Sequence, residues 1–265
     1  MRLIHGSFPA FLAALFLSAT PHAAELPAER DMRGLRPMLE ENIERPLRYW
    51  PDGNSFVITN GAERFNRPLY AANAPFRIDA GDLPEFSFYI PGRGGNLRFG
   101  ILAGASSQWL DAAQHIVARY VPGSMRYEIR GAELALHLTV LPLADERGMI
   151  GRVDALNVPQ AAELVFAFGG VNGMRGRRGG DIGCEVDPVA EFFRLRPEQC
   201  VGDRILLGDG VFVVHGSRGG SMAGIVPQFR LSTADAHRWF ETPAALAGSA
   251  GGSGSTNVVL GRRSI

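Results

Sequence analysis

The sequence predicts an all-β protein, built as a large antiparallel two-sheet sandwich with a short N-terminal helix. From Tyr49 onward, about a dozen apolar runs of roughly five to ten residues follow one another, separated by Gly, Pro, Asn and Asp. Several runs alternate between apolar and polar residues, as in MRYEIR (125–130) and LALHLTV (134–140), which is typical of strands with one buried face. The runs are too many for a small sandwich and fit a large one.

Residues 1–24 have the order of features of a secretory signal peptide. Arg2 and His5 precede the apolar run FPAFLAALFLSA (8–19), and small residues follow in TPHAAE (20–25). We therefore predict cleavage after Ala23 or Ala24 and a periplasmic or secreted protein; the alternative is a buried N-terminal helix. No later run approaches ~20 apolar residues, so no membrane contact is expected after signal cleavage.

The remaining chain divides into three parts. Residues 25–46 form a lead-in segment, in which RPMLEENIER (36–45) predicts a short helix that ends before Pro46. Residues 47–247 form the predicted sandwich domain. GSAGGSGS (248–255) predicts a flexible linker, and TNVVLGRRSI (256–265) begins a further strand. Either that strand pairs back onto the sandwich or the chain is the front of a longer protein, and truncation is the favoured interpretation.

Charge and motifs exclude several classes of function. Lys plus Arg and Asp plus Glu both total 27, so no net field attracts nucleic acid. The sequence has no phosphate-binding glycine motif in a strand–helix context and no H-E-x-x-H metal motif. The glycine-rich run GGVNGMRGRRGGDIG (169–183) predicts a long loop. We predict no metal and no cofactor.

Cys184 and Cys200 are the only cysteines of the sequence. In an exported protein, two cysteines at this spacing predict one disulfide. Closing a loop of this length stabilises a fold by roughly 3 kcal/mol in the chain-entropy model. The alternative is two buried thiols.

Carboxylates offer one catalytic hypothesis. Asp82 and Glu85 lie in DAGDLPE (79–85), at a predicted turn. Glycoside hydrolysis needs two carboxyl groups that face one pocket about 5–10 Å apart. The alternative is that Asp82 caps the turn through its side chain, so the spacing alone does not identify a catalytic pair.

Four motifs carry a family resemblance: NGAERFNRPLY (60–70), AGDLPEF (80–86), PGRGGNLRFGI (91–101) and GGDIG (179–183). Over about residues 45–260 the sequence resembles the bacterial domain of unknown function number 4450, found near the N-terminus of large exported proteins associated with polysaccharide degradation. Cys184 departs from the Ala expected after GDIG, so the disulfide is not implied by the family.

The resemblance implies a supersandwich-like, non-catalytic domain from the N-terminal part of an exported enzyme of the glycoside hydrolase type. The domain would support a helical α/α-toroid catalytic domain in cis, which this sequence lacks, with glycan as a further partner. No catalytic residue is predicted in the chain itself. The residues expected to contact substrate or brace its groove are Asn66, Arg67, Asn96, Arg98 and Trp109.

The alternative function is a stand-alone carbohydrate-binding module. An exposed, coplanar platform of aromatic rings would favour that module, because sugars stack on aromatic faces. A broad apolar patch near the C-terminal edge would instead favour packing against a missing domain.

Overall fold

The structure, a computed structural model, describes residues 49–61, 66–70, 75–103, 106–144, 146–174, 193–249, 251 and 256–265. The predicted signal peptide, the predicted helix at 36–45 and Cys184 lie outside the described residues. Strands dominate the described part, and every strand pair in it is antiparallel. The predicted all-β sandwich is therefore confirmed. No helix in this part has the length and hydropathy of a membrane-crossing segment.

A six-stranded sheet forms most of one layer. Its strands, in spatial order, are β1 (Trp50–Asp52), β2 (Ser55–Thr59), β8 (His115–Val121), β9 (Ser124–Arg130), β10 (Ala135–Pro142) and β11 (Met149–Asn157). β9 and β10 carry the clearest apolar–polar alternation of the sequence and lie side by side in this sheet.

An eight-stranded sheet forms the opposite layer. Its strands, in spatial order, are β16 (Arg230–Asp235), β17 (Asn257–Ser264), β12 (Glu163–Gly169), β6 (Gly92–Ala103), β5 (Glu85–Ile90), β4 (Arg77–Gly81) and β3 (Asn66–Tyr70), with β7 (Ser106–Trp109) paired to β6. The last predicted strand of the sequence is thus part of this sheet, as β17, and pairs with both β12 and β16.

A three-stranded sheet completes the first layer. It contains β13 (Arg204–Leu207), β14 (Val211–His215) and β15 (Ser221–Ile225). The Phe212 ring on β14 lies 5.8 Å from Phe166 and 5.5 Å from Phe168, which are both on β12. These rings belong to the same apolar core as the inner face of the six-stranded sheet. The layer that covers the eight-stranded sheet is therefore divided into two separate sheets.

The core between the layers follows the two-residue period of the strands. On β5, Phe86 and Phe88 point into it, and Phe86 makes edge contacts with Phe99 and with Tyr127 of β9. The buried Tyr127 hydroxyl donates to the Gly81 carbonyl oxygen at 2.7 Å, so its polar atom is satisfied inside the core. Burial raises the pKa of Tyr127 well above its usual value.

The outer face of the eight-stranded sheet is covered as well. A second apolar cluster, which includes Trp109 and Trp239, lies on this face. The helix α1 (Pro243–Gly248) packs nearby, with Thr242 as its N-cap accepting from the Ala245 amide. Gly248, the first residue of the predicted flexible linker, thus ends a helix, and residues 250 and 252–255 are outside the described residues.

Cys200 lies at the end of a 3₁₀ turn, Pro197–Cys200, beneath this outer cluster. Its side chain is a buried free thiol. Burial raises the pKa of the thiol to about 12. The predicted disulfide is not shown, because its other cysteine, Cys184, lies outside the described residues.

Candidate functional site

A cleft of about 1290 Å³ lies along the core, where the covering layer is divided into two sheets. β11, the last strand of the six-stranded sheet, lines one side of it, and β15, the last strand of the three-stranded sheet, lines the other. The inner face of the eight-stranded sheet forms the floor. We call this feature the interlayer cleft.

The floor of the interlayer cleft is aromatic. Phe166 and Phe168 on β12 contribute rings to it, and Phe212 on β14 and Phe229 line the cleft beside them. Phe166 contacts Phe229 at 5.1 Å between ring centroids and Phe212 at 5.8 Å. Phe166, Phe168 and Phe212 are only 3%, 3% and 6% exposed, so these rings belong to the core and the apolar surface still open to a partner lies mainly at the strand edges.

The walls of the cleft are strand edges. Within the described residues, β11 has β10 as its one strand neighbour, and β15 has β14. Val153 on β11 and Met222 on β15 face inward and pack against the core. On the same strands, Ile150 and Ile225 also line the cleft and are 53% and 81% exposed, whereas Leu156, which does not line it, is 61% exposed. Edge strands of this kind present unpaired backbone N–H and C=O groups.

The rim of the cleft is predominantly basic. Its charged lining side chains are Arg147, Arg218, Arg263 and Glu146. The three arginines form no ion pair with a described residue, so their positive charge outweighs the single glutamate at the rim. Ile265, which follows β17, also lines the cleft.

A second polar feature, the Arg98 cluster, lies on the opposite face of the eight-stranded sheet. It consists of Glu85, Arg98, Trp109, Asp111 and Trp239. Arg98 Nη2 lies 2.6 Å from Asp111 Oδ2, and Arg98 Nε lies 3.7 Å from Glu85 Oε1. Arg98 Nη1 also donates to the Trp239 carbonyl oxygen at 2.9 Å. The guanidinium carbon is 4.5 Å from the Trp109 ring centroid, within cation–π range.

Register explains how this cluster forms. Glu85 on β5 is directly opposite Arg98 on β6, and the 3₁₀ turn Leu110–Ala112 after β7 brings Asp111 to the same guanidinium. Trp109 Nε1 donates to the Glu241 carbonyl oxygen at 2.6 Å, which fixes the indole ring. Arg98 is 7% exposed and Trp109 is 4% exposed. The cluster is consequently an internal brace that binds the 236–243 region to the sheet.

Asn96 lies two residues before Arg98 on the same face of β6 and is 1% exposed. Its side-chain oxygen accepts a hydrogen bond from Arg93 Nη2, and the same nitrogen donates to the Arg194 carbonyl oxygen at 3.3 Å. Burial lowers the pKa of Arg93 to about 10. Asn96 and Arg93 therefore connect the sheet to the chain around Arg194.

Arg67 is separate from the Arg98 cluster. It lies on β3 in register with Ala80, whose side chain is part of the core. Its guanidinium carbon is 4.4 Å from the Tyr49 ring centroid and 5.9 Å from that of Tyr120. Asn66 lies beside it on β3, opposite Gly81. Of the five predicted contact residues, Arg98 and Trp109 are thus in contact with each other, and Asn96 lies near them on the same face of β6.

The two carboxylates of the catalytic hypothesis are buried. Asp82 is 1% exposed and Glu85 is 8% exposed. Glu85 pairs with Arg98 in the Arg98 cluster. Asp82 packs closely against Gly61. Among the described residues, no group of three or more His, Cys, Asp or Glu side chains is arranged to hold a metal ion.

Sequence reasoning did not predict the interlayer cleft. Its floor residues read as ordinary core positions, because the period-two pattern shows that a side chain faces inward but not whether a second sheet covers it. One feature of the sequence could have indicated the cleft. β15 (SMAGI) and β13 (RILL) have apolar side chains on both faces, which an ordinary strand with one solvent-exposed face does not need. Leu206 on β13 is 50% exposed.

Comparison with protein families identifies a match over the middle of the chain. The model of the family described as Domain of unknown function (DUF4450) matches residues 90–243, more than half of the chain. The matched region includes β6, β11, β12 and β15, which together enclose the cleft. No curated protein matches the sequence.

Proposed function

This chain belongs to the family of the domain of unknown function DUF4450, and we propose that it is a non-catalytic, exported β-sandwich domain that packs against a helical catalytic domain. The whole protein would be a periplasmic or secreted polysaccharide-degrading enzyme of the glycoside hydrolase type. The observation that carries the proposal is the interlayer cleft, an apolar gap of about 1290 Å³ between two strand edges that no other described strand pairs with.

The chemistry of the cleft suits a polypeptide better than a sugar. Sugar sites combine exposed aromatic faces with polar side chains that bind hydroxyl groups, whereas the floor here is phenylalanine. Exposed aliphatic side chains at the edges of the cleft, such as Ile150 and Ile225, are typical of contacts with protein or another apolar partner. The cleft therefore supports a packing role.

The state of the predicted contact residues supports the same proposal. Asn96, Arg98 and Trp109 are all less than 9% exposed, and each is bonded to other parts of the chain. A buried tryptophan offers no free face for a sugar ring. These residues stabilise the domain, which favours a supporting role over a stand-alone carbohydrate-binding module.

The position of Ile265 agrees with a partner in cis. Ile265 is half-buried at the cleft, so a polypeptide that continued from it would begin beside the apolar floor. A domain attached there would bind as an intramolecular partner, with an effective concentration in the millimolar range for a short linker.

The test begins with the genomic DNA downstream of the codon for Ile265. We expect the reading frame to continue into amphipathic helices, and the downstream polypeptide, expressed separately, to bind this chain in isothermal titration calorimetry. A stop codon directly after Ile265 would overturn the partner in cis. Saturable binding on a glycan array by this chain alone would instead favour the carbohydrate-binding module.

A further inference from the structure

We propose that the interlayer cleft is a strand-acceptor groove. An extended segment of a partner polypeptide, apolar at alternate positions and acidic at its ends, would add to the edges of β11 and β15 and close the divided layer. This inference rests on the proposed function in one respect only, that the partner is a polypeptide.

The first argument is that one gap is bordered by two strand edges that are unpaired within the described part of the chain. β11 ends the six-stranded sheet and β15 ends the three-stranded sheet, and both strands line the cleft. β11 has nine residues, which at ~3.3 Å per residue gives an edge of about 30 Å. An added strand gains main-chain hydrogen bonds from such an edge, as in recognition by β-augmentation.

The second argument concerns the side chains that an added strand would meet. Val153 and Met222 face the core from the two edges, above Phe166 and Phe168. On the opposite face of β15, Ile225 is 81% exposed at the rim of the cleft. Alternate side chains of an added strand would therefore face the apolar side of the cleft, while the remaining ones would lie beside Ile225 at its rim. This pattern selects apolar residues at every second position.

The third argument is charge. Arg147 lies in the turn between β10 and β11, Arg218 lies in the turn between β14 and β15, and Arg263 lies near the end of β17. All three are exposed, and only Glu146 opposes them among the charged lining residues. Acidic residues that flank the apolar segment would complement this rim, and such charges mainly raise the association rate and fix orientation.

The probe is a synthetic peptide with the sequence Asp-Glu-Val-Thr-Val-Thr-Val-Thr-Val-Glu-Asp. Its control has proline in place of the second and fourth valines, because proline cannot donate to a ladder and disrupts an added strand. Binding is measured by fluorescence anisotropy, and amide hydrogen exchange is measured by mass spectrometry. We expect the valine peptide to bind at least tenfold more tightly than the proline peptide.

Hydrogen exchange distinguishes strand addition from simple docking. On peptide binding, we expect amide exchange in residues 149–157 and 221–225 to slow at least tenfold, because edge amides become hydrogen-bonded. Exchange in β3, the far edge of the eight-stranded sheet, should not change. Binding without protection at either cleft edge, or no binding, would overturn the proposal.

A pair of variants on one strand provides the matched control. Val153→Lys places a charge on the inward face of β11, whereas Leu156→Lys changes the exposed face of the same strand. We expect Val153→Lys to weaken peptide binding at least tenfold and Leu156→Lys to change it less than twofold. If Val153→Lys does not fold, Met222→Lys tests the same point from β15. If the two variants of β11 changed peptide binding equally, the result would contradict binding in a strand-acceptor groove.

Other occupants give different results in the same experiments. A second copy of this chain would show concentration-dependent dimers and edge protection without any peptide, and would overturn the partner assigned here. The proposed function fails separately, through a stop codon after Ile265, while peptide binding with edge protection would stand. Conversely, a downstream polypeptide that binds without edge protection would retain the packing role and refute strand addition.

Discussion

Arg98 and Asp111 form an ion pair of 2.6 Å between Nη2 and Oδ2, and both side chains are only 9% exposed. Thirteen positions separate them in sequence, and the strand β7 and a 3₁₀ turn bring the carboxylate back over β6. A buried guanidinium needs such partners, because removal of a charge from water is costly. The pair is therefore a structural requirement of the outer face of the eight-stranded sheet.

Loss of one member of this ion pair should strongly lower the stability of the protein. We expect Asp111→Ala to lower the free energy of unfolding by about 3–5 kcal/mol, because it leaves the Arg98 charge buried with weaker compensation. Urea denaturation measures the change. The control is Asp154→Ala, which removes the exposed pair with Arg152 and should cost less than about 1 kcal/mol. Equal losses of unfolding free energy in the two variants would contradict a stabilising role of the Arg98 cluster.

Trp109 should behave as a structural residue. Trp109→Phe removes the N–H that donates to the Glu241 carbonyl oxygen, and we expect a loss of about 1–3 kcal/mol in unfolding free energy. Trp50→Phe is the matched control, since Trp50 is only partly buried on β1, and it should change stability by less than about 0.5 kcal/mol. A stable Trp109→Phe protein with impaired glycan binding would instead place Trp109 at a sugar site.

Cys200 should resist thiol reagents in the folded protein. Burial holds its pKa at about 12, so almost no thiolate exists at pH 8, and the sulfur is enclosed by the outer cluster. We expect iodoacetamide to label Cys200 only after denaturation, as read by peptide mass mapping. The opposite outcome would be that Cys200 also stays unlabelled in denatured, unreduced protein taken from an oxidising compartment. The thiol would then not be free, and this result would support the disulfide predicted from the sequence.

Glu163 should make stability depend on pH in the acid range. Hydrogen bonds and charge from Arg262, and then from Arg230, lower the pKa of the Glu163 carboxyl below its usual value of 4.5. The ionised form is therefore favoured in the folded state. Its stabilising contribution is present above pH 4.5 and is lost as the pH falls through the lowered, folded-state pKa.

The measurement compares melting temperatures of the wild type and Glu163→Gln from pH 7 to pH 3. We expect the variant to melt at a lower temperature at pH 7 and the difference to shrink below about pH 4.5. Glu133→Gln, at an exposed residue without a described ion pair, should show no such trend. A difference that stays constant down to pH 3 would exclude the Glu163 contacts as its source.

The sequence was sufficient to predict the class of the fold and most strands. β9 reads SMRYEIR, and its Met125, Tyr127 and Ile129 are all fully buried, as the alternation requires. The roles of the polar residues were harder to predict. Arg98 and Asn96 lie in a glycine-rich strand, where nothing local indicates that the outer face is covered by residues from 236–243 and by the chain near Arg194.

The division of the covering layer was also beyond sequence reasoning. β15 has apolar side chains on both faces, but pairing partners distant in sequence are set by tertiary packing and not by local propensity. Similarly, the run at 256–265 read as the beginning of a strand, but its place between β12 and β16 depends on residues 163–169 and 230–235. An analysis of hydrophobic periodicity cannot identify such non-local strand partners.

The position of β17 also determines when the protein can fold during synthesis. β17 lies between β12 and β16, and β16 has no other strand neighbour among the described strands. While the ribosome is still translating residues 257–264, β12 lacks a partner on one side and β16 cannot join the sheet. The eight-stranded sheet therefore closes only after this last strand has left the ribosome. Until then the nascent chain exposes an unpaired, apolar edge, which favours aggregation.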